Sequence, residues 1–182
     1  MQPEFIAFPK IPRGQNETVT ITEKIDGTNA CVIVSDDGSV VGAQSRSRLI
    51  YPGDDNFGFA AWVDSNKDEL AKLGPGHHYG EWAGEGIQKN PHNIRGRKFF
   101  LFNTHRWNPN NPNKPECCDV VPVLYEGPWE VGLDNVRDMA MDMLWRTAKL
   151  EGWHPEGIVI WFHRGRRYEK VTFENAEGKW KS

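Results

Sequence analysis

The 182-residue sequence lacks several patterns that define common classes of protein. No apolar run approaches the ~20 residues of a membrane-spanning helix, and the first residues lack the basic-then-apolar pattern of a signal peptide. No glycine-rich segment has the spacing of a P-loop or of a dinucleotide-binding fingerprint. These absences argue against a membrane partner and against both nucleotide-binding classes, and they predict a soluble, cytoplasmic protein.

Cysteine and net charge are also low. The three cysteines, Cys31, Cys117 and Cys118, are odd in number and lack the paired spacing of a disulfide framework or a zinc site. The formal net charge is −3, which argues against a protein that coats nucleic acid in bulk but leaves a local basic groove open. Basic clusters at 95–98 and 164–167 are equally compatible with such a groove and with solvated turns.

The residues that are present predict an α+β fold, with antiparallel sheets flanked by helices, as a single domain over residues 1–182. Period-two alternation and turn signals predict strands in segments 18–46, 77–84, 98–104 and 156–173. Apolar spacing predicts helices over 57–73 and over 133–152, the second with Asp134 as its N-cap. In the second helix, we expect Met139, Met143 and Leu150 to lie in the core.

The segment "TEKIDGTNAC" places Lys24 at the end of an alternating run, directly before a tight polar turn. A lysine in a strand is usually a solvated surface residue. A lysine can act as a nucleophile only when it is unprotonated, and a free lysine with a pKa near ~10.4 is almost fully protonated at neutral pH. A nucleophilic lysine therefore needs a tight pocket, cationic neighbours and carboxylates that hold a metal ion against phosphate.

Other segments supply candidates for these parts, in order along the chain. They are Arg46 and Arg48 in "QSRSR", Glu81 in "YGEWAG", Phe100 and Phe102 in "KFFLFN", Glu156 in "PEGIVIW" and Lys170 in "YEKVTF". Each has an ordinary alternative, because the glutamates are also compatible with strand edges and the phenylalanines with the core. Alternation puts Lys170 on the strand face opposite Glu169 and Val171.

Together, and in this order, the segments resemble the covalent nucleotidyltransferase superfamily of RNA ligases, DNA ligases and capping enzymes. Its lysine signature K-x-D-G corresponds to "KIDG" at 24–27. The full set is most similar to RNA ligases that seal nicks in duplex RNA, over residues 23–173. The resemblance implies an ATP-grasp-like nucleotidyltransferase fold.

The resemblance also implies a nucleotide-binding site. Glu23 would lie beside the base edge, Asn29 would help to position the nucleotide or the strand being joined, and Glu81 would bind the ribose hydroxyls. Arg46, in preference to Arg48, would contact the ribose or the substrate end. Phe102, or otherwise Phe100, would stack on adenine.

The implied chemistry is the transfer of AMP. Lys24 would form a covalent lysyl-AMP with ATP, Glu156 would bind Mg²⁺ or Mn²⁺, and Lys170 would contact the α-phosphate. AMP would then pass to a 5′-phosphate end, where a 3′-hydroxyl would displace it to seal the strand. The expected partners are ATP and RNA strand ends or a nicked duplex, with a role in RNA repair, and the protein is expected to be a monomer.

Two departures from the family pattern keep alternatives open. The family's last motif has a second lysine where this chain has Thr172, and the spacing supports neither Lys179 nor Lys181 as a substitute. The chain also ends soon after Phe173, so we expect no C-terminal OB-fold or helical domain. The alternatives are a DNA ligase-like or end-adenylating enzyme, and a nucleic-acid end-binding protein without turnover.

Overall fold

The protein is described here by a computed structural model, which covers residues 17–129 and 135–175. The described residues form ten strands and three α-helices. The strands are β1 (Glu17–Lys24), β2 (Thr28–Val34), β3 (Val40–Ser45), β4 (Leu49–Ile50), β5 (Gly76–Gly84), β6 (Arg97–Leu101), β7 (Cys118–Val120), β8 (Val123–Trp129), β9 (Gly157–Phe162) and β10 (Arg167–Thr172). The helices are α1 (Phe59–Ser65), α2 (Lys67–Leu70), which continues into a 3₁₀ turn (Ala71–Leu73), and α3 (Asn135–Glu151).

The strands are arranged in two sheets. The first has the order β10–β9–β1–β8, and the second has the order β4–β3–β2–β5–β6–β7. All the strand pairs are antiparallel except β6 with β7. The mixed α+β fold with mainly antiparallel sheets that the sequence predicts is therefore confirmed.

The hairpin that the sequence predicts at its polar Asp-Gly turn forms between β2 and β3. The Asp37 carboxylate accepts a hydrogen bond of 2.9 Å from the Ser39 N–H, and Gly38 has a φ of +86°. Glycine adopts this left-handed conformation without the steric cost that a Cβ atom imposes. The turn chemistry thus joins β2 to β3, as the sequence predicts.

The helix predicted over 57–73 is interrupted at Asn66, which has a φ of −121°. Its side-chain amide donates to the Trp62 carbonyl at 2.7 Å, so the side chain competes with the helical backbone. At the start of α1, the Asp55 carboxylate accepts hydrogen bonds from the N–H groups of Ala60 and Ala61. The segment ends at Gly74, as predicted.

The buried face of α3 differs from the predicted one. Met139, Met143 and Leu150 are exposed, with Leu150 at 89%. The buried residues are instead Ala140, Met141, Leu144 and Ala148, of which the first three pack in the core of the first sheet. Both sets have helical spacing, and the small alanines bring the helix close to the sheet. Gly152 ends the helix with a φ of +79°, and the proposed cap Asp134 lies outside the described residues.

The strands β7 and β8 were not predicted, because prolines interrupt the pattern there. Pro122 lies between them, and Pro128 lies within β8. Proline cannot donate a hydrogen bond to a neighbouring strand, so it is tolerated mainly at sheet edges. Strand β8 is an edge strand of the first sheet, which explains how Pro128 is accommodated.

Each sheet has its own core. A small third cluster lies beside the turn at residues 25–27 that follows Lys24, called the lysine turn below. Residues of the second sheet pack with α1 around Phe59, Trp82 and Phe99. The third cluster is formed by Ile25, Ala83 and Val121, with Ile94, Phe100 and Phe102 packed against it. Ile25 directly follows Lys24, so this cluster fixes the turn at the end of β1.

Gly27 brings that turn against the second sheet. A Cβ atom added to Gly27 would lie 2.4 Å from the Trp82 carbonyl oxygen and 2.9 Å from the Ala83 Cβ. Since both obstacles belong to a buried strand, we expect Gly27→Ala to lower the free energy of unfolding by about 1–3 kcal/mol. Urea unfolding measures this loss. The matched control is Gly53→Ala, where nothing lies within 4 Å of the added atom; equal midpoints for the two variants would contradict the expectation.

Candidate active site

The candidate nucleophile lies in a row that crosses three strands of the first sheet. Lys24 is the last residue of β1 and is paired with Gly157 on β9, which is in turn paired with Thr172 on β10. Glu156 directly precedes β9, so the strand pairing brings its carboxylate to Lys24 although 132 residues separate them along the chain. The Lys24 ammonium and the Glu156 Oε1 form a close ion pair.

The second carboxylate oxygen of Glu156 is the most unusual atom of the site. Glu156 Oε2 is buried and has no hydrogen-bond partner among the described residues. A buried polar atom without a partner has a substantial desolvation cost and therefore calls for an explanation, such as an ion. Within the described ranges no three His, Cys, Asp or Glu side chains converge on one point. The donor set therefore fits a Mg²⁺-like ion, which commonly takes one or two carboxylates and completes its shell with phosphate and water.

The second sheet contributes a buried carboxylate from β5. Glu81 is the strand partner of Asn29 on β2, and it is 8% exposed. Burial is the main cause that raises the pKa of Glu81 to about 7. The Glu156 carboxylate raises it further, whereas the Lys24 ammonium and a hydrogen bond from the Gly27 N–H lower it. These electrostatic contacts show that Lys24, Glu81 and Glu156 share one site.

We expect the ionisation of Glu81 to make stability depend on pH. Because its pKa is raised on folding, the native state binds more protons than the unfolded chain between pH 4.5 and about 7. Stability therefore falls as pH rises through this window, by at most about 3 kcal/mol at 1.36 kcal/mol per pH unit. Glu81→Gln lacks this pH-dependent decrease. The difference in free energy of unfolding between the variant and wild type should therefore shift in favour of the variant from pH 5 to pH 8.

Urea unfolding at the two pH values, without metal or nucleotide, checks this expectation. The control is Glu126→Gln, which alters an exposed glutamate on β8. A difference between Glu81→Gln and wild type that stays constant with pH would show that Glu81 is already ionised at pH 5.

The carboxylate of Glu23 is buried and paired. Glu23 is 5% exposed, and its Oε1 contacts the His92 Nε2. The His92 ring lies 3.8 Å, between centroids, from the ring of Trp153. The same loop donates the Lys89 N–H to the Asp26 Oδ2 at 3.2 Å. The loop between β5 and β6 thus covers the lysine turn, a role for His92 that no sequence motif signals.

The structure distinguishes between the members of two candidate pairs. Arg48 is held away by Asp54, with 2.9 Å between its Nη1 and the carboxylate Oδ2, whereas Arg46 lines the cleft beside Lys24. Phe100 and Phe102 both pack against the third hydrophobic cluster, but of the two only Phe102 lines this cleft. Arg46 and Phe102, the preferred members at the sequence level, are therefore the ones that face the site.

Lys170 faces the cleft from β10. It is paired with Val159, which lines the cleft. Its neighbour Glu169 is paired with Ile160 of the core but also lines the cleft. Lys170 makes no ion pair with any described residue. Thr172 is two residues further along β10 and therefore lies on the same strand face as Lys170. The position of the absent second lysine is thus also on the cleft side. Lys179 and Lys181 lie outside the described residues.

The cleft that joins these residues has a volume of about 1140 Å³. Its walls come from both sheets, and the predicted site residues that line it are Glu23, Lys24, Asn29, Arg46, Glu81, Phe102 and Lys170. A side cavity of about 270 Å³ shares Asn29, Arg46 and Phe102 with it. A cleft of this size accommodates a nucleotide.

The two basic clusters noted in the sequence serve mainly structural contacts. Arg97 donates to the Glu85 carbonyl at 3.0 Å, and Lys98 forms an ion pair of 3.3 Å with Asp119. Arg167 lies over the Phe162 ring and pairs with Glu17.

None of the helices in the described ranges combines the length and hydropathy that a membrane crossing requires.

Solved structures identify the class of this fold. An apo mutant of Naegleria gruberi RNA ligase is 20% identical with a TM-score of 0.58, over 86% of this chain and 49% of that chain. A mutant of the same enzyme with ATP and Mn is 19% identical with a TM-score of 0.60 over the same shares. Another with ATP and Mn is 20% identical with a TM-score of 0.60, over 94% and 57%. The fold is thus that of an RNA ligase nucleotidyltransferase domain, and the chain spans about half the length of these structures.

Comparison with models of protein families assigns the chain to a family. The model described as RNA ligase matches residues 17–179, which is most of the chain. The protein therefore belongs to the RNA ligase family. Comparison with curated proteins gave no match.

Proposed function

We propose that the protein is an ATP-dependent RNA ligase that works through a covalent lysyl-AMP on Lys24. One observation carries this proposal: Lys24 lines a cleft that accommodates a nucleotide, and its ammonium is paired with the Glu156 carboxylate, whose other oxygen is buried without a partner among the described residues. Family membership and the similarity to RNA ligase structures with ATP and Mn support it.

In the first step, the unprotonated Nζ of Lys24 attacks the α-phosphorus of ATP. An N–P bond forms, the bond from the α-phosphorus to the bridging oxygen breaks, and pyrophosphate leaves with the bonding electrons. The Lys24 proton is lost to solvent. Phosphoryl transfer of this kind depends chiefly on positioning and charge neutralisation, which the fixed groups around Lys24 provide.

The neighbouring residues position the nucleotide. Lys170, which has no ion-pair partner among the described residues, offers its ammonium to the α-phosphate. Glu81 accepts hydrogen bonds from the ribose hydroxyls, and Asn29 and Arg46 bind beside it on the same wall of the cleft. Phe102 stacks on adenine. Mg²⁺ or Mn²⁺, held by Glu156 together with phosphate oxygens, would neutralise developing negative charge on the phosphates.

The later steps join RNA ends. A 5′-phosphate oxygen of an RNA strand attacks the phosphorus of lysyl-AMP and releases Lys24, and a 3′-hydroxyl then displaces AMP to form the phosphodiester. We propose that the strand ends are presented at a nick in duplex RNA, as in the branch of the family whose motifs this sequence resembles. Thr172, which lies in the same row as Lys24, is uncharged and supplies no second cation. We therefore expect the ligation steps to be slower than self-adenylation.

Intact-protein mass spectrometry after incubation with ATP and Mn²⁺ tests the proposal. The expected result is a gain of one adenylyl group. A folded protein that binds ATP without this gain would overturn the lysyl-AMP mechanism and favour an end-binding protein without turnover. If the adduct forms, matched nicked duplexes of RNA and DNA and a single-stranded RNA then identify the substrate. Faster sealing of the DNA nick would support the DNA ligase-like alternative.

A further inference from the structure

The cleft continues along the first sheet beyond the row of Lys24, past every residue assigned above. Trp161 and Tyr168, the "aromatic platform", line this outer part and are partners across β9 and β10. Ile160 and Phe162 point into the core, so strand alternation turns Trp161 toward the cleft. The two rings are 4.4 Å apart between centroids with an interplanar angle of 37°, and Tyr168 is 64% exposed.

The aromatic platform is well separated from the lysine row. Trp161 is four residues along β9 from Gly157, which corresponds to about 13 Å at 3.3–3.4 Å per residue. The cleft, at about 1140 Å³, also exceeds the roughly 300–1,000 Å³ of a pocket for one small ligand. The outer part therefore has room for a group other than the AMP carried on Lys24.

Polar groups surround the aromatic platform. Lys170, which the proposed function assigns to the α-phosphate, lies between it and the lysine row on the same face of β10 as Tyr168, and the carboxylate of Glu169 also lines the cleft. The outer wall includes Thr104 and His105. The His105 ring is 4.9 Å from that of His163, whose Nε2 is within 2.8 Å of the Thr20 hydroxyl. A flat apolar surface beside several hydrogen-bonding groups fits a nucleobase.

We propose that the aromatic platform stacks one unpaired nucleobase of the RNA substrate. This inference rests on the proposed function, because it assigns the RNA strand a place in the same cleft. Every base has a π-face, so stacking of this kind tolerates any sequence. A base inside a duplex is already stacked on its neighbours, so the platform takes a base that is unpaired at the nick.

Two other uses of the aromatic platform make different predictions. A cross-strand aromatic pair also stabilises an edge hairpin, which requires no ligand. If the platform instead binds the adenine of ATP, its loss weakens ATP binding and RNA binding together. Separate measurements of stability, ATP binding and RNA binding distinguish these uses from the proposed one.

The experiment uses a fluorescein-labelled, 5′-phosphorylated single-stranded RNA of roughly ten nucleotides and fluorescence anisotropy. We expect Trp161→Ala and Tyr168→Ala each to weaken RNA binding by about 5- to 150-fold, the range for loss of one base–aromatic stack. Tyr168→Phe keeps the ring and should bind as wild type does. The matched control is Tyr51→Ala, which removes another exposed tyrosine, 58% accessible and outside the cleft.

Three outcomes would overturn the inference. They are unchanged RNA affinity in both alanine variants, an equal loss of ATP affinity, and a loss of RNA affinity in Tyr168→Phe as large as in Tyr168→Ala. Thermal unfolding of each variant shows whether a loss of binding reflects loss of fold. The mass of the wild-type adduct separates the two proposals: no adduct refutes lysyl-AMP formation, whereas an adduct with unchanged RNA binding in the variants refutes only the stacking site.

Discussion

Replacement of Lys24 by alanine should abolish the covalent AMP adduct. Among the residues that the structure describes, no other amine can take its place without moving a strand, because Lys24 is fixed at the end of β1 by pairing with β9 and by the buried Ile25 that follows it. Lys170 is the other described lysine that lines the cleft, and it lies on β10, two strands away. Intact-protein mass after incubation with ATP and Mn²⁺ measures the result, and an undiminished adduct in Lys24→Ala would exclude Lys24 as the nucleophile.

The arginine variant at the same position separates charge from nucleophilicity. Lys24→Ala leaves the Glu156 carboxylate without its cation, so a loss of adduct there is open to the objection that the site has been disturbed. Lys24→Arg keeps a positive charge next to Glu156, but a guanidinium stays protonated and is not a nucleophile. We expect no adduct in Lys24→Arg together with near-wild-type stability. Lys67→Ala, which removes an exposed lysine that also forms an ion pair, should form the full adduct.

The second large effect is expected at Glu156. Glu156→Gln keeps the size and shape of the side chain but removes the charge that we propose for binding the metal ion. Loss of a residue that merely supports a metal ligand costs about 10- to 100-fold in affinity or activity. For the proposed ligand itself we therefore expect the rate of self-adenylation to fall by about 100-fold or more.

The metal dependence of the Glu156→Gln variant distinguishes a metal ligand from a partner of Lys24 alone. A weakened metal site should need more Mn²⁺, so its rate should recover in part as the Mn²⁺ concentration rises. A role limited to the ion pair with Lys24 would give a loss that is independent of Mn²⁺, and this result would contradict the assignment. The control is Glu126→Gln on β8, whose rate should match that of wild type.

Several local features were predictable because they depend on neighbouring residues. The turn at Asp37 and Gly38 and the helix ends at Gly74 and Gly152 follow from side-chain hydrogen bonds and from glycine's freedom to adopt positive φ. Strand alternation predicted the face of Lys170, and the register with Val159 agrees with it.

Other features could not be predicted, because two patterns in the sequence were equally good locally. The stripe of Met139, Met143 and Leu150 and the stripe that includes Met141 and Leu144 both have helical spacing, and contact with the first sheet decides which one is buried. Strands β7 and β8 were missed because Pro122 separates them and Pro128 lies within β8. The contact between His92 and Glu23 joins residues 69 apart, with no motif to signal it.

The sequence by itself determined the chemical groups of this protein, their order along the chain and the family pattern that they resemble. It supplied a lysine at a strand end, carboxylates at Glu81 and Glu156, and a late lysine at position 170. Only the tertiary structure decided that the Glu156 carboxylate meets Lys24 and that burial raises the pKa of Glu81 to about 7. The physical reason is that desolvation and charge contacts depend on distances between segments far apart in sequence, which sheet pairing alone sets.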